Sequence, residues 1–215
     1  MIIQPNSKLV IIGDSITDCD RARPIGEGLF DALGNGYVSL LDSLLTARYP
    51  AHHIRVVNMG ISGNTIRDLQ SRWQTDVVGL KPDWLTVFIG INDVWRHFHS
   101  PNQPEWHVPL DEYTQTLDEL LQAVRPSLKG LILMTPYFIE PNTIEPMRKM
   151  MGRYGEAVRQ LAEKHQAILV DTQAAFDAVL NDLHPMALAW DRVHPTRTGH
   201  MVLAIAFLQT IGYKW

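Results

Sequence analysis

The sequence predicts a three-layer α/β/α sandwich built on a five-stranded parallel sheet, and two observations carry that expectation. Short β-branched apolar runs alternate with longer amphipathic ones, the pattern of parallel strands joined by crossover helices. The runs are apolar throughout rather than alternating, as in Leu131-Ile132-Leu133-Met134, which suits a sheet covered on both faces.

The elements follow in order. The first strand reads at residues 9–12, where Leu9-Val10-Ile11-Ile12 stops at Gly13-Asp14-Ser15. A polar loop with paired glycines intervenes before a helical pattern over residues 37–48. The second strand, residues 54–57, turns through Asn58-Met59-Gly60, and a helix is expected over 65–78. The third strand, residues 85–89, turns on Gly90. Helix breakers between Arg96 and His107 predict an irregular loop there. A helix over 110–124, a strand over 131–134, a helix over 147–165, a strand over 168–170 and helices over 174–183 and 198–211 complete the alternation. Nothing divides the chain: it carries no internal repeat, low-complexity run or Gly/Ser linker, so residues 1–215 are expected as one domain.

With 215 residues and 46% hydrophobic content, the chain can bury a substantial core. A formal net charge of −4 without Lys/Arg clusters argues against nucleic acid or an anionic membrane as partner. The opening Met1-Ile2-Ile3-Gln4-Pro5-Asn6-Ser7-Lys8 lacks a basic and apolar leader pattern, and no apolar stretch is long enough to span a bilayer. The lone cysteine, Cys19, cannot form an intrachain disulfide and is expected as a small packing residue. A cytoplasmic location follows as the expectation.

Ser15 follows the first strand, and Asp191 and His194 stand near the other end of the chain in Trp190-Asp191-Arg192-Val193-His194-Pro195. A serine hydroxyl becomes a nucleophile when an imidazole takes its proton and a carboxylate orients that imidazole. The residue types therefore point to acyl transfer. Ser15 could equally be a helix N-cap, because Ser15-x-x-Asp18 is the pattern of a capping box. With only two residues between them, Asp191 and His194 can share one turn, and Pro195 biases His194 away from the α region.

Two further strand ends turn on glycine, at Gly60-Ile61-Ser62-Gly63-Asn64 and at Gly90-Ile91-Asn92-Asp93. The Gly63 N–H and the Asn92 amide are neutral donors that could face a developing oxyanion, although such turns use glycine regardless and Asn92-Asp93 could be an Asx turn. Other motifs fail. The second glycine after Ser62 comes one place too early for a Gly-x-Ser-x-Gly elbow. No dinucleotide fingerprint directly follows a strand, and no P-loop occurs. His97, His99 and His107, with Asp93 and Glu105 nearby, are the residues to weigh for a metal, but their expected irregular loop gives poor ligand geometry, so no metal or other cofactor is expected.

Gly13-Asp14-Ser15, Gly63 with its neighbours, Gly90-Ile91-Asn92-Asp93 and Asp191-Arg192-Val193-His194-Pro195 match, in order and spacing, the four blocks of the SGNH hydrolases, or GDSL esterases. The chain resembles that superfamily over almost its whole length, and within it the bacterial intracellular acetylxylan esterases. The resemblance implies the flavodoxin-like fold of those hydrolases, with Ser15 as nucleophile, His194 as base and Asp191 as its orienting carboxylate. It also implies an oxyanion hole formed by Ser15, Gly63 and Asn92, and a serine esterase that removes acetyl groups from xylo-oligosaccharides or related sugar esters. Asp14, Trp95 and Trp190 are expected to contact substrate, with Trp106 a further candidate sugar platform. A homo-oligomer is expected as well, with Tyr213-Lys214-Trp215 a contact. A short-chain arylesterase, a lysophospholipase or thioesterase, and a non-catalytic carbohydrate-binding domain are the alternatives.

Overall fold

The apolar runs pair side by side into one parallel sheet of five strands, β1 (Lys8–Gly13), β2 (Arg55–Gly60), β3 (Trp84–Phe88), β4 (Gly130–Met134) and β5 (Ile168–Val170), in the order β2-β1-β3-β4-β5. The coordinates are a computed structural model that describes residues 1–215. Nine helices surround the sheet: α1 (Ser15–Asp18), α2 (Tyr37–Arg48), α3 (Ile66–Trp73, continued by a π-turn over Gln74–Val78), α4 (Ile91–His99), α5 (Leu110–Val124), α6 (Pro146–Lys164), α7 (Thr172–Val179), α8 (Pro185–Leu188) and α9 (Arg197–Thr210). α2 packs on α9 and α9 on α7, whereas α3 packs on α5 and α5 on α6. These two sets form the outer layers that right-handed crossovers impose on such a sheet, and the α/β sandwich predicted from the sequence is the observed architecture.

The strands are buried on both faces because their side chains meet a helical layer either way. Val10, Ile11, Ile12, Leu85 and Ile132 are all fully buried, within one contiguous apolar cluster that runs through the molecule. Registration of the strand ends decides where function is placed. Gly13 of β1 lies opposite Gly60 of β2 and Phe88 of β3, so three chain segments leave the sheet at one level. The strand order reverses at β1, and in open parallel sheets ligands bind beyond the carboxyl ends of the strands at such a point.

The local differences from expectation have physical causes. β2 continues through Asn58-Met59-Gly60, because these residues stay paired with Ile11, Ile12 and Gly13 of β1, and glycine at the end lets α1 pack on it: a Cβ at Gly60 would lie 2.2 Å from the Asp18 nitrogen. The predicted helix at 65–78 starts one residue later, since Thr65 caps it and Asp68 Oδ2 takes both the Thr65 N–H at 2.7 Å and its hydroxyl at 2.8 Å. α7 begins at Thr172 because the Asp171 carboxylate accepts the Ala174 N–H at 3.0 Å. The segment expected as loop from Arg96 onward is a correction. Residues 91–99 are helical, and the breakers Pro101 and Pro104 act only beyond Ser100. No helix is long and apolar enough to cross a membrane.

Candidate active site

Ser15 is the first residue of α1, at the end of β1, but it does not cap that helix. Asp14 does: its carboxylate accepts the Ile16 N–H at 3.0 Å. The Ser15 hydroxyl is left free for another partner, and its Oγ lies 3.0 Å from His194 Nε2. His194 Nδ1 lies 2.6 Å from Asp191 Oδ2. The other Asp191 oxygen accepts the backbone N–H of Val193 at 2.9 Å and of His194 at 2.7 Å, closing the turn on which both side chains stand. That turn is anchored to the body of the protein, because Tyr137 donates its hydroxyl to the Val193 carbonyl at 2.8 Å and Ile139 its N–H to the Arg192 carbonyl at 3.0 Å.

Partial burial alone would raise the Asp191 carboxyl, but hydrogen bonds from the His194 ring and from the backbone N–H groups of His194 and Val193 outweigh it and hold the group below the usual carboxylate range. An ionised Asp191 can only accept, so the His194 proton sits on Nδ1 and Nε2 faces the serine as an acceptor.

The other two strand ends bring up the oxyanion candidates. Gly63 has φ +81, a left-handed conformation that a side chain would strain. Its carbonyl is drawn away by the Arg96 guanidinium, which donates at 2.7 Å, and its N–H has no partner within the chain. The preceding Ser62 donates its N–H and hydroxyl to Asp18 Oδ2 at 2.9 and 3.1 Å, and Arg23 donates to the same oxygen at 2.6 Å. Burial works to raise the Asp18 carboxyl, yet these donors prevail and lower it. Asn92 stands in the first turn of α4, where one amide hydrogen goes to the Asn64 carbonyl at 3.0 Å and the second remains for a ligand. Arg72 ties the ends of β1 and β2 together beneath the site, donating to the Gly13 carbonyl at 2.9 Å, the Met59 carbonyl at 2.8 Å and, in the loop after β2, Asn64 Oδ1 at 2.7 Å.

Asp14 needs correcting as a substrate contact. It is only 1% exposed, and burial pushes its carboxyl up to about 7, so it lies beneath the serine rather than in a ligand's path. Asp93 is fully buried too, holds the Ile66 N–H at 2.9 Å and is pushed up to about 7 by burial. Trp95 is half-buried and meets the His194 ring edge to face at 5.5 Å between centroids. Trp190, beside Asp191, is 79% exposed. Trp106 faces the Arg96 guanidinium at 5.8 Å and thus backs the residue that holds Gly63.

His97 and His107 stack at 4.5 Å and each donates from Nε2 to a main-chain carbonyl, of Val108 at 3.2 Å and of Ser100 at 2.9 Å. These rings secure the loop after α4, and Asp93 points into the core away from them. Cys19 packs beneath the site with Sγ 3.4 Å from His200 Nε2, and burial pushes its thiol up to about 12, far from a reactive thiolate. Arg72 and Arg96 escaped the sequence reading, since nothing in a lone arginine tells which of 19 basic residues will turn inward.

Residues 11–202 match the GDSL-like Lipase/Acylhydrolase family. The chain is 58% identical over 215 residues to the acetylxylan esterase of Geobacillus stearothermophilus, with 100% of this chain and 98% of the relative covered. The crystal structure of that esterase, Axe2, superposes with a TM-score of 0.99 at 58% identity over 100% of this chain and 98% of its own. Solved catalytic mutants of Axe2 carry the changes S15A, D191A and H194A. LAE5, an alpha/beta hydrolase from the metagenome of Lake Arreo, matches at 55% identity and a TM-score of 0.97, over 99% of this chain and 98% of its own.

Proposed function

The chain belongs to the GDSL-like lipase/acylhydrolase family, and from that premise we propose that it is a serine esterase that removes acetyl groups from acetylated xylo-oligosaccharides. The observation that carries the proposal is the relay from Ser15 Oγ to His194 Nε2 at 3.0 Å and from His194 Nδ1 to Asp191 Oδ2 at 2.6 Å, set where three strand ends supply neutral donors. The 58% identity to an acetylxylan esterase supports the choice of acyl group and sugar.

In the first half-reaction His194 Nε2 takes the Ser15 proton as Oγ bonds to the acetyl carbonyl carbon. The oxyanion is met by the N–H groups of Ser15 and Gly63 and by the free Asn92 amide hydrogen. The bond from the carbonyl carbon to the sugar oxygen breaks, and the sugar leaves with the proton from His194. Water then gives its proton to His194, bonds to the acyl carbon and releases acetate, and the proton returns to Ser15. No bound cofactor takes part. Trp95, against the imidazole, offers a flat apolar face to the sugar ring, and the exposed Trp190 a second one.

A free Cys19 suits a reducing cytoplasm, and Trp215, 63% exposed and packed on Tyr213, supports contact between copies of the chain. The test is a panel of acetyl, butyryl and octanoyl p-nitrophenyl esters beside acetylated xylo-oligosaccharides. Acetyl esters should be hydrolysed fastest and acetate released from the sugars. A preference for octanoyl esters with inertness toward the sugars would move the protein to the lysophospholipase branch.

A further inference from the structure

On the Asp191 side of the triad lies a cavity of about 220 Å³, outside the groups that meet the acetyl carbonyl. Its walls are the aromatic side chains of Trp95, Phe98 and Phe138 with Met147, and Glu145 and Arg192 bring charge to it. Trp95 is shared with the catalytic centre, because the same ring packs on His194. Asp191 itself lines the cavity, which places it directly beside the point of reaction. Its charged groups are held in advance. The Arg192 guanidinium lies over the Phe138 ring at 4.9 Å and is fixed by Glu140 at 2.5 Å. Glu145 uses one carboxylate oxygen to cap α6 through the Arg148 N–H at 2.7 Å, which leaves the other oxygen free to accept.

Resting on the esterase reading above, we infer that this cavity is the subsite for a second pyranose ring, the one joined to the acetylated sugar. A pyranose carries C–H faces that lie on aromatic rings and equatorial hydroxyls that both donate and accept, and the cavity supplies open aromatic surface from Phe98 and the half-buried Trp95, a fixed donor in Arg192 and a fixed acceptor in Glu145. A fatty acyl chain fits the same volume badly, since it would strip water from Glu145 and Arg192 without replacing their hydrogen bonds. Phe98, 38% exposed on the last turn of α4, has no reason in the core to be aromatic, and a role as the outer wall of this subsite accounts for it.

The experiment compares kcat/KM on an acetylated methyl xyloside, on acetylated xylobiose and on p-nitrophenyl acetate, for the wild type, Phe98→Ala and Arg192→Gln. The wild type should favour the disaccharide over the monosaccharide by about tenfold, the worth of one stacked and hydrogen-bonded ring. Each variant should shrink that gain to within about twofold, through KM rather than kcat, with folding checked by circular dichroism. A gain that survives in both variants, or no gain in the wild type alongside good turnover of the monosaccharide, would overturn the subsite and leave the esterase reading intact. Hydrolysis of p-nitrophenyl acetate with neither sugar accepted would overturn the sugar reading, and the subsite with it.

Discussion

Asp191 holds His194 at both ends, with Oδ2 on the ring Nδ1 at 2.6 Å and Oδ1 on the backbone N–H at 2.7 Å. One carboxylate thus sets both the tautomer of the base and the turn that presents it. Asp191→Asn separates the two tasks. The amide oxygen can still accept the backbone N–H, but its nitrogen would confront the ring N–H and favour the wrong tautomer. We expect kcat to fall by about 10³–10⁴ with little change in Tm. A drop in Tm that matches the loss of activity would assign Asp191 a structural task only.

The Ser15 hydroxyl has no part in capping α1, because Asp14 takes the Ile16 N–H. Ser15→Ala should therefore leave folding and melting temperature unchanged while kcat falls by about 10³-fold or more, the residue of activity coming from the oxyanion donors and binding. A sulfonyl fluoride should label Ser15, read by peptide mass spectrometry. Labelling of Ser62 instead, with activity retained in Ser15→Ala, would move the nucleophile.

Asn92→Ala removes the proposed side-chain oxyanion donor, for which a loss of about 10²–10³ in kcat with a nearly constant KM is expected. Its bond to the Asn64 carbonyl is lost too. The KM-against-kcat split separates the two effects, since a displaced Asn64 loop would raise KM as well.

His200 is buried beneath α1, accepts the Tyr37 N–H at 3.2 Å and is pushed by burial down to about 4 from 6.5. The unfolded chain binds this proton near 6.5 and the folded one only near 4, so between those values the unfolded state holds more protons. Stability linked to the neutral ring is then complete above pH 6.5 and is lost as the pH falls toward about 4. His200→Asn keeps an acceptor for Tyr37 and removes the titration. Melting curves from about pH 7 to about pH 5 should fall less steeply in the variant than in the wild type, and equal slopes would discard the linkage.

The layers and most of the reacting groups were legible in the chain itself. Helices over residues 37–48 and 110–124 and the strand over 168–170 were predicted with the bounds observed, because their periodicity and ends are local properties. Ser15, Asp191 and His194 were legible as residue types in a familiar order, and the parallel sheet explains why a serine after β1 and a glycine after β2 belong together. Elsewhere the signal was misleading. Breakers between residues 96 and 107 suggested loop from Arg96 on, yet the helix propagates from Gly90 until Pro101 denies it a further turn.

What sequence alone determined was the succession of parallel strands and helices and the identity of the groups that carry charge and protons, since each rests on residues near one another in the chain. Tertiary structure decided which of those groups meet. Strand register sets Gly13 beside Gly60 and Phe88, and only then do Ser15, Gly63 and Asn92 share one edge. Burial turned Asp14 from a candidate contact into a cap with its carboxyl pushed up to about 7, an effect of surroundings that no local pattern encodes. Arg72 and Arg96 acquired their places by long-range hydrogen bonds to carbonyls on other segments, and the Trp95 wall by packing on a histidine 99 positions away along the chain. Each of these depends on distance in space, which the linear order of residues does not contain.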